Sequence, residues 1–199
     1  MRKKQRTRIN RKRSNWFKDS WDYIKESKNY IYSAFFLFLA GGLVGFIFQG
    51  YFENYLLEII RDLVDKTEGL STEGLILFIF WNNLGSAFIS ILSGMLLGIV
   101  PVMSILVNGV LLGFVMNKAI AVEGIFTFWR LAPHGIFELP AIFIAVGLGI
   151  KFGTFWFSGK NIKKEFYRRL RSSLKVFLTI ILPLLIVAAI IEGLLIGLG

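Results

Sequence analysis

The sequence of 199 residues contains no cysteine and a single histidine. Without cysteine there can be no disulfide framework, thiol catalysis, zinc–thiolate site or iron–sulfur cluster. One histidine is too few for a metal centre built from several histidines, so we expect neither a metal nor a cofactor. Proline occurs only four times, and charged residues make up 18% of the chain. A soluble domain carries about 25% charged residues, so this scarcity argues against the soluble class.

The apolar residues, at 55% of the chain, are instead abundant and lie in long stretches. A bilayer core about 30 Å thick requires roughly 20 apolar helical residues per crossing. We therefore predict an all-α, polytopic membrane protein with five transmembrane helices and additional interfacial amphipathic helices. A basic tail, residues 1–29, precedes a single membrane domain, residues 30–198. The predicted spans are residues 30–49, 75–100, 102–117, 135–152 and 176–198, with Pro101 at the second junction and a short third span.

The 23 Lys and Arg residues are distributed unevenly. Residues 1–29 contain eleven of them and residues 151–175 contain eight, which leaves four elsewhere. With five spans, these nineteen basic residues fall on one side of the membrane. Because basic loops stay in the cytoplasm, we predict a cell-membrane protein with a cytoplasmic N-terminus, an external C-terminus and contact with an anionic inner leaflet.

The first span is predicted to be a retained signal anchor, because the basic region before it is too long for a cleaved signal peptide. The cluster in residues 2–13 has an alternative interpretation as a nuclear signal or nucleic-acid-binding arm. We favour a topology determinant and expect no nucleic-acid partner.

Two polar segments have the apolar spacing of amphipathic helices. Residues 51–66 are mildly acidic, and we expect them to cover the outer ends of the spans. Residues 160–175 are strongly basic and suit the surface of the inner leaflet. The aromatic residues between Trp16 and Tyr23 indicate a third interfacial segment before the first span.

Small residues recur every four positions in two of the predicted spans. In lipid, such stripes allow helix backbones to approach closely, so they indicate packing surfaces. Shorter glycine pairs occur in the other spans. Their number favours self-association, and we predict a homodimer. The two stripes comprise Ser86, Ser90, Gly94 and Gly98 in the second span, and Ala141, Ala145, Gly149 and Gly153 in the fourth.

Polar residues inside the predicted spans are the best indication of function, because ionisable groups in hydrocarbon are costly. The candidates are Asn82, Asn83, Asn108, His134 and Glu138. His134 and Glu138 share one helix face, and we expect them to meet Asn82 or Asn83 near the outer surface. Glu192 lies close enough to the interface to be solvated.

Three roles remain open for this polar cluster. The side chains could form a structural hydrogen-bonded cluster, or an ion-linked path for transport. They could also supply an acid and base beside a nucleophilic Ser86 or Ser90.

Residues 133–141 read PHGIFELPA and resemble the PHGxxExPA stretch of the stage II sporulation protein M family. Asn82-Asn83 and Asn108-Gly109 are similar to that family's pattern too. The resemblance implies an integral membrane protein of several spans; the sporulation member works in engulfment beside partners that remodel the cell wall.

On this basis we expect a non-enzymatic membrane scaffold or assembly factor that binds other membrane or envelope proteins. A transporter or channel subunit is the first alternative, and an intramembrane hydrolase is the second.

Overall fold

The structure, a computed structural model, describes residues 15–124 and 127–198, with side chains for all of these except 127–134, 160 and 198. The described part contains helices and no strand. Within these residues, five helices or helical runs are long and apolar enough to cross a membrane, which confirms the predicted all-α polytopic architecture. The helices are α1 (Trp16–Ile47), α2 (Gln49–Thr67), α3 (Thr72–Ser93), α4 (Ile99–Glu123), α5 (Thr127–Gly153), α6 (Ile162–Val176) and α7 (Leu182–Leu198).

The junction between the second and third spans differs from the prediction. Helix α3 ends at Ser93, and a turn over residues 94–98 precedes α4. Gly98 in this turn has φ +73°, a left-handed conformation that glycine adopts without steric cost. Pro101 lies in the first turn of α4, where no intrahelical N–H is needed. The helix ends therefore differ from the predicted spans 75–100 and 102–117, and α4 has 25 residues.

Two interfacial segments are continuous with the spans beside them. Helix α1 begins at Trp16, so the aromatic segment belongs to the same helix as the first span. Helix α6 passes through a π-helical turn, Phe177–Ile181, directly into α7. Neither glycine nor proline occurs between Ile162 and Leu182 to interrupt this run. By contrast, α2 is a separate helix close to the predicted bounds 51–66.

Helix α5 lies at the centre of the bundle. It packs against α1, α3, α4 and α7, whereas α1 packs most extensively along α4, and α3 along α7. Four side chains of α5 are fully buried: Ala141, Ala145, Leu148 and Phe152. Polar groups at either end of α5 are consequently brought against several other helices.

The helices approach one another through glycine backbones. A methyl group added at Gly94 would overlap the backbone of Gly149, and one added at Gly149 would overlap the carbonyl of Ser90. Gly153 similarly faces the backbone of Gly98. Ser86, the remaining member of the α3 stripe, is exposed.

The other glycine pairs form equivalent contacts. Gly41 and Gly45 of α1 meet the backbone of α4, and Gly109 and Gly113 of α4 meet that of α1. The stripes are thus occupied within one chain. They supply no argument for the homodimer, which stays a prediction.

Candidate functional site

A cluster of polar side chains joins three spans at the end of the bundle where α3 and α5 begin. The Glu138 carboxyl group on α5 lies close enough to Glu192 on α7 and to Asn83 on α3 for hydrogen bonding. One carboxylate oxygen of Glu192 is fully buried. We call Asn83, Glu138 and Glu192 the carboxyl cluster.

The local sequence explains how these residues meet. Helices α3 and α5 both begin at this end of the bundle and α7 ends there, as the contacts of Gly193 with Ile76 and of Gly197 with Thr72 show. Asn83 near the middle of α3, Glu138 in the first half of α5 and Glu192 in the second half of α7 are thereby brought near one another. Small neighbours, such as Ala141 on α5 and Ala188 and Ala189 on α7, are buried and let the helices approach.

The chemistry of the carboxyl cluster depends on a proton. A hydrogen bond between two carboxyl groups requires that one of them carry a hydrogen, because an ionised carboxylate only accepts. The amide of Asn83 can donate to one group and accept from the other. This arrangement can hold three helices together, and it can also take up or release a proton.

The structure separates the predicted polar residues into different environments. Asn82 is exposed, with its amide Nδ2 3.5 Å from Asn83 Oδ1. Asn108 is exposed and donates from Nδ2 to the Ser104 carbonyl oxygen of its own helix at 3.0 Å. Asn108 therefore does not join the carboxyl cluster. The prediction for His134 concerns a side chain outside those described.

Glu192 is the member of the cluster that the sequence interpretation missed, because its position near the end of the last span favoured solvation. A comparison of the positions of the polar residues within their spans indicates that Glu192 lies near Glu138. Glu138 lies early in a span that begins at this surface, and Glu192 lies late in a span that ends there.

A second polar assembly lies at the opposite end of α5, around Lys151. This lysine is only 4% exposed. Its Nζ lies 3.0 Å from Glu26 Oε1 and 2.9 Å from Ser27 Oγ. The ammonium also lies 3.9 Å from the centre of the Tyr23 ring, a cation–π contact. Lys151 thereby links α5 to α1. In the sequence, this role is indicated by a single cation within an otherwise apolar run.

Helix α6 completes this assembly. Arg168 bridges two glutamates: its Nη1 lies 3.1 Å from Glu26 Oε1, and its Nη2 lies 2.9 Å from Glu165 Oε2. Arg169 binds Glu165 at 3.2 Å and donates to the carbonyl oxygen of Lys151 at 2.6 Å. The ion-pair network of Glu26, Lys151, Glu165, Arg168 and Arg169 thus links α1, α5 and α6. We call this end of the bundle the basic end.

Metal ligation has no evident site among the described residues: in that part of the chain, no three histidine, cysteine, aspartate or glutamate side chains are grouped to hold a metal ion. The carboxyl cluster provides two carboxyl groups and an amide, which can donate and accept hydrogen bonds and can bind a proton.

Spanning helices with polar side chains paired between them define a polytopic helical membrane protein. Residues 34–195 match the family described as Stage II sporulation protein M, and this match covers well over half of the chain. The chain belongs to that family. No curated protein and no solved structure matches it.

Proposed function

We propose that this family member is a non-enzymatic membrane scaffold or assembly factor. The observation that carries the proposal is the backbone contact between helix pairs, α1 with α4 and α3 with α5. At Gly45, Gly113 and Gly149 even one added carbon would overlap backbone atoms of the neighbouring helix.

Such contacts favour a rigid body. Alternating access requires one group of helices to rock against another around a central site. Here α5 is in backbone contact with α3 and packs on three further spans, so it cannot move without separating close-packed surfaces. Rigidity of this kind suits a protein that positions partners.

Helix α2 supplies a surface for such partners. It buries only Leu56 and is attached to α4 by an ion pair between Lys118 Nζ and Glu53 Oε1 at 2.6 Å. Tyr51 and Tyr55 are 88% and 63% exposed. Exposed tyrosines on a helix outside the spans are typical anchors for another protein, so other membrane or envelope proteins are the proposed partners.

The test combines a flux assay with complementation. Proteoliposomes containing the full chain should show no proton, sodium or potassium flux above empty liposomes. In a host strain lacking the gene, a Tyr51→Ser/Tyr55→Ser variant should be folded and inserted yet fail to restore the phenotype. The control is Tyr32→Ser, which removes a tyrosine of similar exposure from α1.

A transporter or channel subunit is the second candidate, and the carboxyl pair of Glu138 and Glu192 favours it. Ionisable groups within a span commonly mark ion or proton pathways. Ion flux that disappears in a folded Glu138→Gln variant would establish this alternative and refute the scaffold. Asn108 is exposed and its amide donates to a carbonyl oxygen of its own helix, so it does not contribute to such a polar path.

For orientation, we propose a cytoplasmic N-terminus and an external C-terminus. The support is that basic segments of α1 and α6 lie at one end, joined by Lys175–Asp19 at 2.8 Å and Arg168–Glu26 at 3.1 Å. Basic residues grouped in this way favour the cytoplasmic side. A cysteine introduced at Ser14 in this cysteine-free chain should resist membrane-impermeant reagents in intact cells; labelling from outside would reverse the assignment.

A further inference from the structure

The basic residues of α6 fall into two groups. Arg168, Arg169 and Lys175 bind carboxylates of α1 or α6. In contrast, within the described part of the chain, no ion pair engages Lys163, Lys164 or Arg171. These three cations are exposed. The first group is neutralised by the protein itself, and the second leaves its charge available to an external anion.

The available cations share one face of the helix. Lys163, Tyr167 and Arg171 follow one another at intervals of four residues, which places them in one row, and Lys164 lies beside them. A shallow surface cleft of about 420 Å³ is lined by Asn161, Lys163, Lys164 and Tyr167. Ammonium groups, a guanidinium and a phenol are all hydrogen-bond donors, so the face is suited to phosphate oxygens.

The position of this face points to a lipid. Helix α6 continues without a break into the membrane-spanning α7, so its cations lie near the boundary of the hydrocarbon. Trp156 and Phe157, just before α6, are 49% and 79% exposed. Exposed aromatic side chains at this depth are typical of the lipid headgroup region.

We propose that Lys163, Lys164, Tyr167 and Arg171 form a binding site for the phosphate groups of acidic phospholipids in the leaflet at the basic end. The complementarity is one of charge: three exposed cations face a surface that carries anionic headgroups. The site is separate from the ion-pair network, whose arginines are already occupied. The proposal does not depend on the scaffold function.

The test measures lipid binding to the full chain in detergent by native mass spectrometry, with phosphatidylglycerol as the acidic lipid and phosphatidylcholine as the neutral one. Each basic residue near a lipid surface contributes at most about a five-fold preference for anionic over neutral lipid. The Lys163→Gln/Lys164→Gln/Arg171→Gln variant should therefore bind phosphatidylglycerol at least about ten-fold more weakly. Its binding of phosphatidylcholine should not change.

Two variants serve as controls. Lys18→Gln/Lys25→Gln/Lys28→Gln removes three exposed charges from α1 at the same end of the bundle and should retain most of the phosphatidylglycerol binding. Lys163→Arg/Lys164→Arg keeps the charge and should bind as the original chain does. Because all of these side chains are exposed, thermal unfolding should be the same in every variant.

Several results would overturn the proposal. Equal losses in the two triple variants would show that net charge, not a site, attracts the lipid. Unchanged phosphatidylglycerol binding in the Lys163/Lys164/Arg171 variant would remove the site altogether. Competition by millimolar inorganic phosphate would indicate a site for free phosphate. Tight binding of a short DNA duplex, lost in the same variant, would identify nucleic acid as the occupant.

Discussion

The two ends of α5 are tied to their neighbours by different chemistry. At the basic end, Lys151 and two arginines of α6 face Glu26 and Glu165, so that opposite charges alternate. At the other end, Glu138 meets a second carboxyl group, Glu192, and an amide, Asn83. One assembly is an ion-pair network, and the other brings two carboxyl groups and an amide together, with no cation among its described members.

The difference indicates what each assembly can do. Alternating charges stabilise one arrangement of helices and have no need to exchange a proton. A carboxyl pair that shares a proton stabilises the same kind of helix contact, yet its state changes with every proton gained or lost. The ion-pair network at the basic end therefore acts as a clamp that fixes the packing of α1, α5 and α6, whereas the carboxyl cluster can also gain or lose a proton.

The largest loss of stability is expected from a substitution on α5 between Glu138 and Lys151. Gly149→Ile should prevent stable folding, because the side chain would overlap the Ser90 carbonyl and crowd Pro101. Overpacking against backbone that cannot yield costs about 3 kcal/mol or more. The measurement is thermal unfolding in detergent by circular dichroism.

The matched control is Gly85→Ile on α3, where an added carbon meets open space. It should unfold close to the original temperature. A Gly149→Ile protein as stable as the Gly85→Ile protein would contradict the backbone contact.

The next effect tests the clamp at the basic end. Lys151→Met should lower the free energy of unfolding by about 2 kcal/mol, since it removes a buried ammonium from Glu26, Ser27 and Tyr23. The cost is below that of a fully buried pair because Glu26 keeps Arg168.

For comparison, Lys66→Met breaks an exposed pair with Asp62 on α2 and should change stability by less than about 0.5 kcal/mol. Equal effects of the two substitutions would mean that Lys151 is not a clamp. Both can be read from denaturant or thermal unfolding curves.

The carboxyl cluster should respond more moderately. Glu138→Leu should destabilise the protein by about 1–2 kcal/mol, because Asn83 and Glu192 lose a buried hydrogen-bond partner. Glu138→Gln keeps a donor and an acceptor and should cost clearly less.

A double-mutant cycle with Glu192→Gln would measure the coupling between the two glutamates. Additive effects of the two Gln substitutions would contradict the contact.

The smallest effect is expected at Asn108. Asn108→Leu should change stability by less than about 0.5 kcal/mol, because the amide is exposed and bonds only within its own helix. Asn117→Leu should cost about 0.6 kcal/mol or more, since Asn117 Nδ2 donates to the Phe46 carbonyl oxygen of α1 at 3.0 Å. A larger loss for Asn108→Leu than for Asn117→Leu would reverse this ranking.

Much of the fold follows from local properties. Apolar length predicted five spans, and the amphipathic periodicity of residues 51–66 predicted α2 closely. Helix α3 ends at Ser93 and α4 begins at Ile99, whereas the predicted junction lies at Pro101. The turn depends on the left-handed Gly98, and α4 accommodates Pro101 in its first turn.

The polar sites were less accessible to prediction. Glu138 and Asn83 stand out because each interrupts an apolar span, and the structure does bring them together. Asn108 interrupts a span equally well, and yet it faces outward. Whether such a residue faces the bundle or the outside depends on how its helix is rotated about its own axis. That rotation is set by packing against neighbouring helices.

Apolar length, charge distribution and a short motif are local properties, so the class of protein, the number of spans and the family can be predicted from the residues alone. Helix packing is needed to learn that the glycine stripes are used within one chain, that Glu192 lies beside Glu138, and that Lys151 is a buried clamp. These facts depend on which helices become neighbours. Glu26 and Lys151 are far apart in the sequence and meet only through packing of the whole bundle. A local sequence pattern therefore cannot predict their contact.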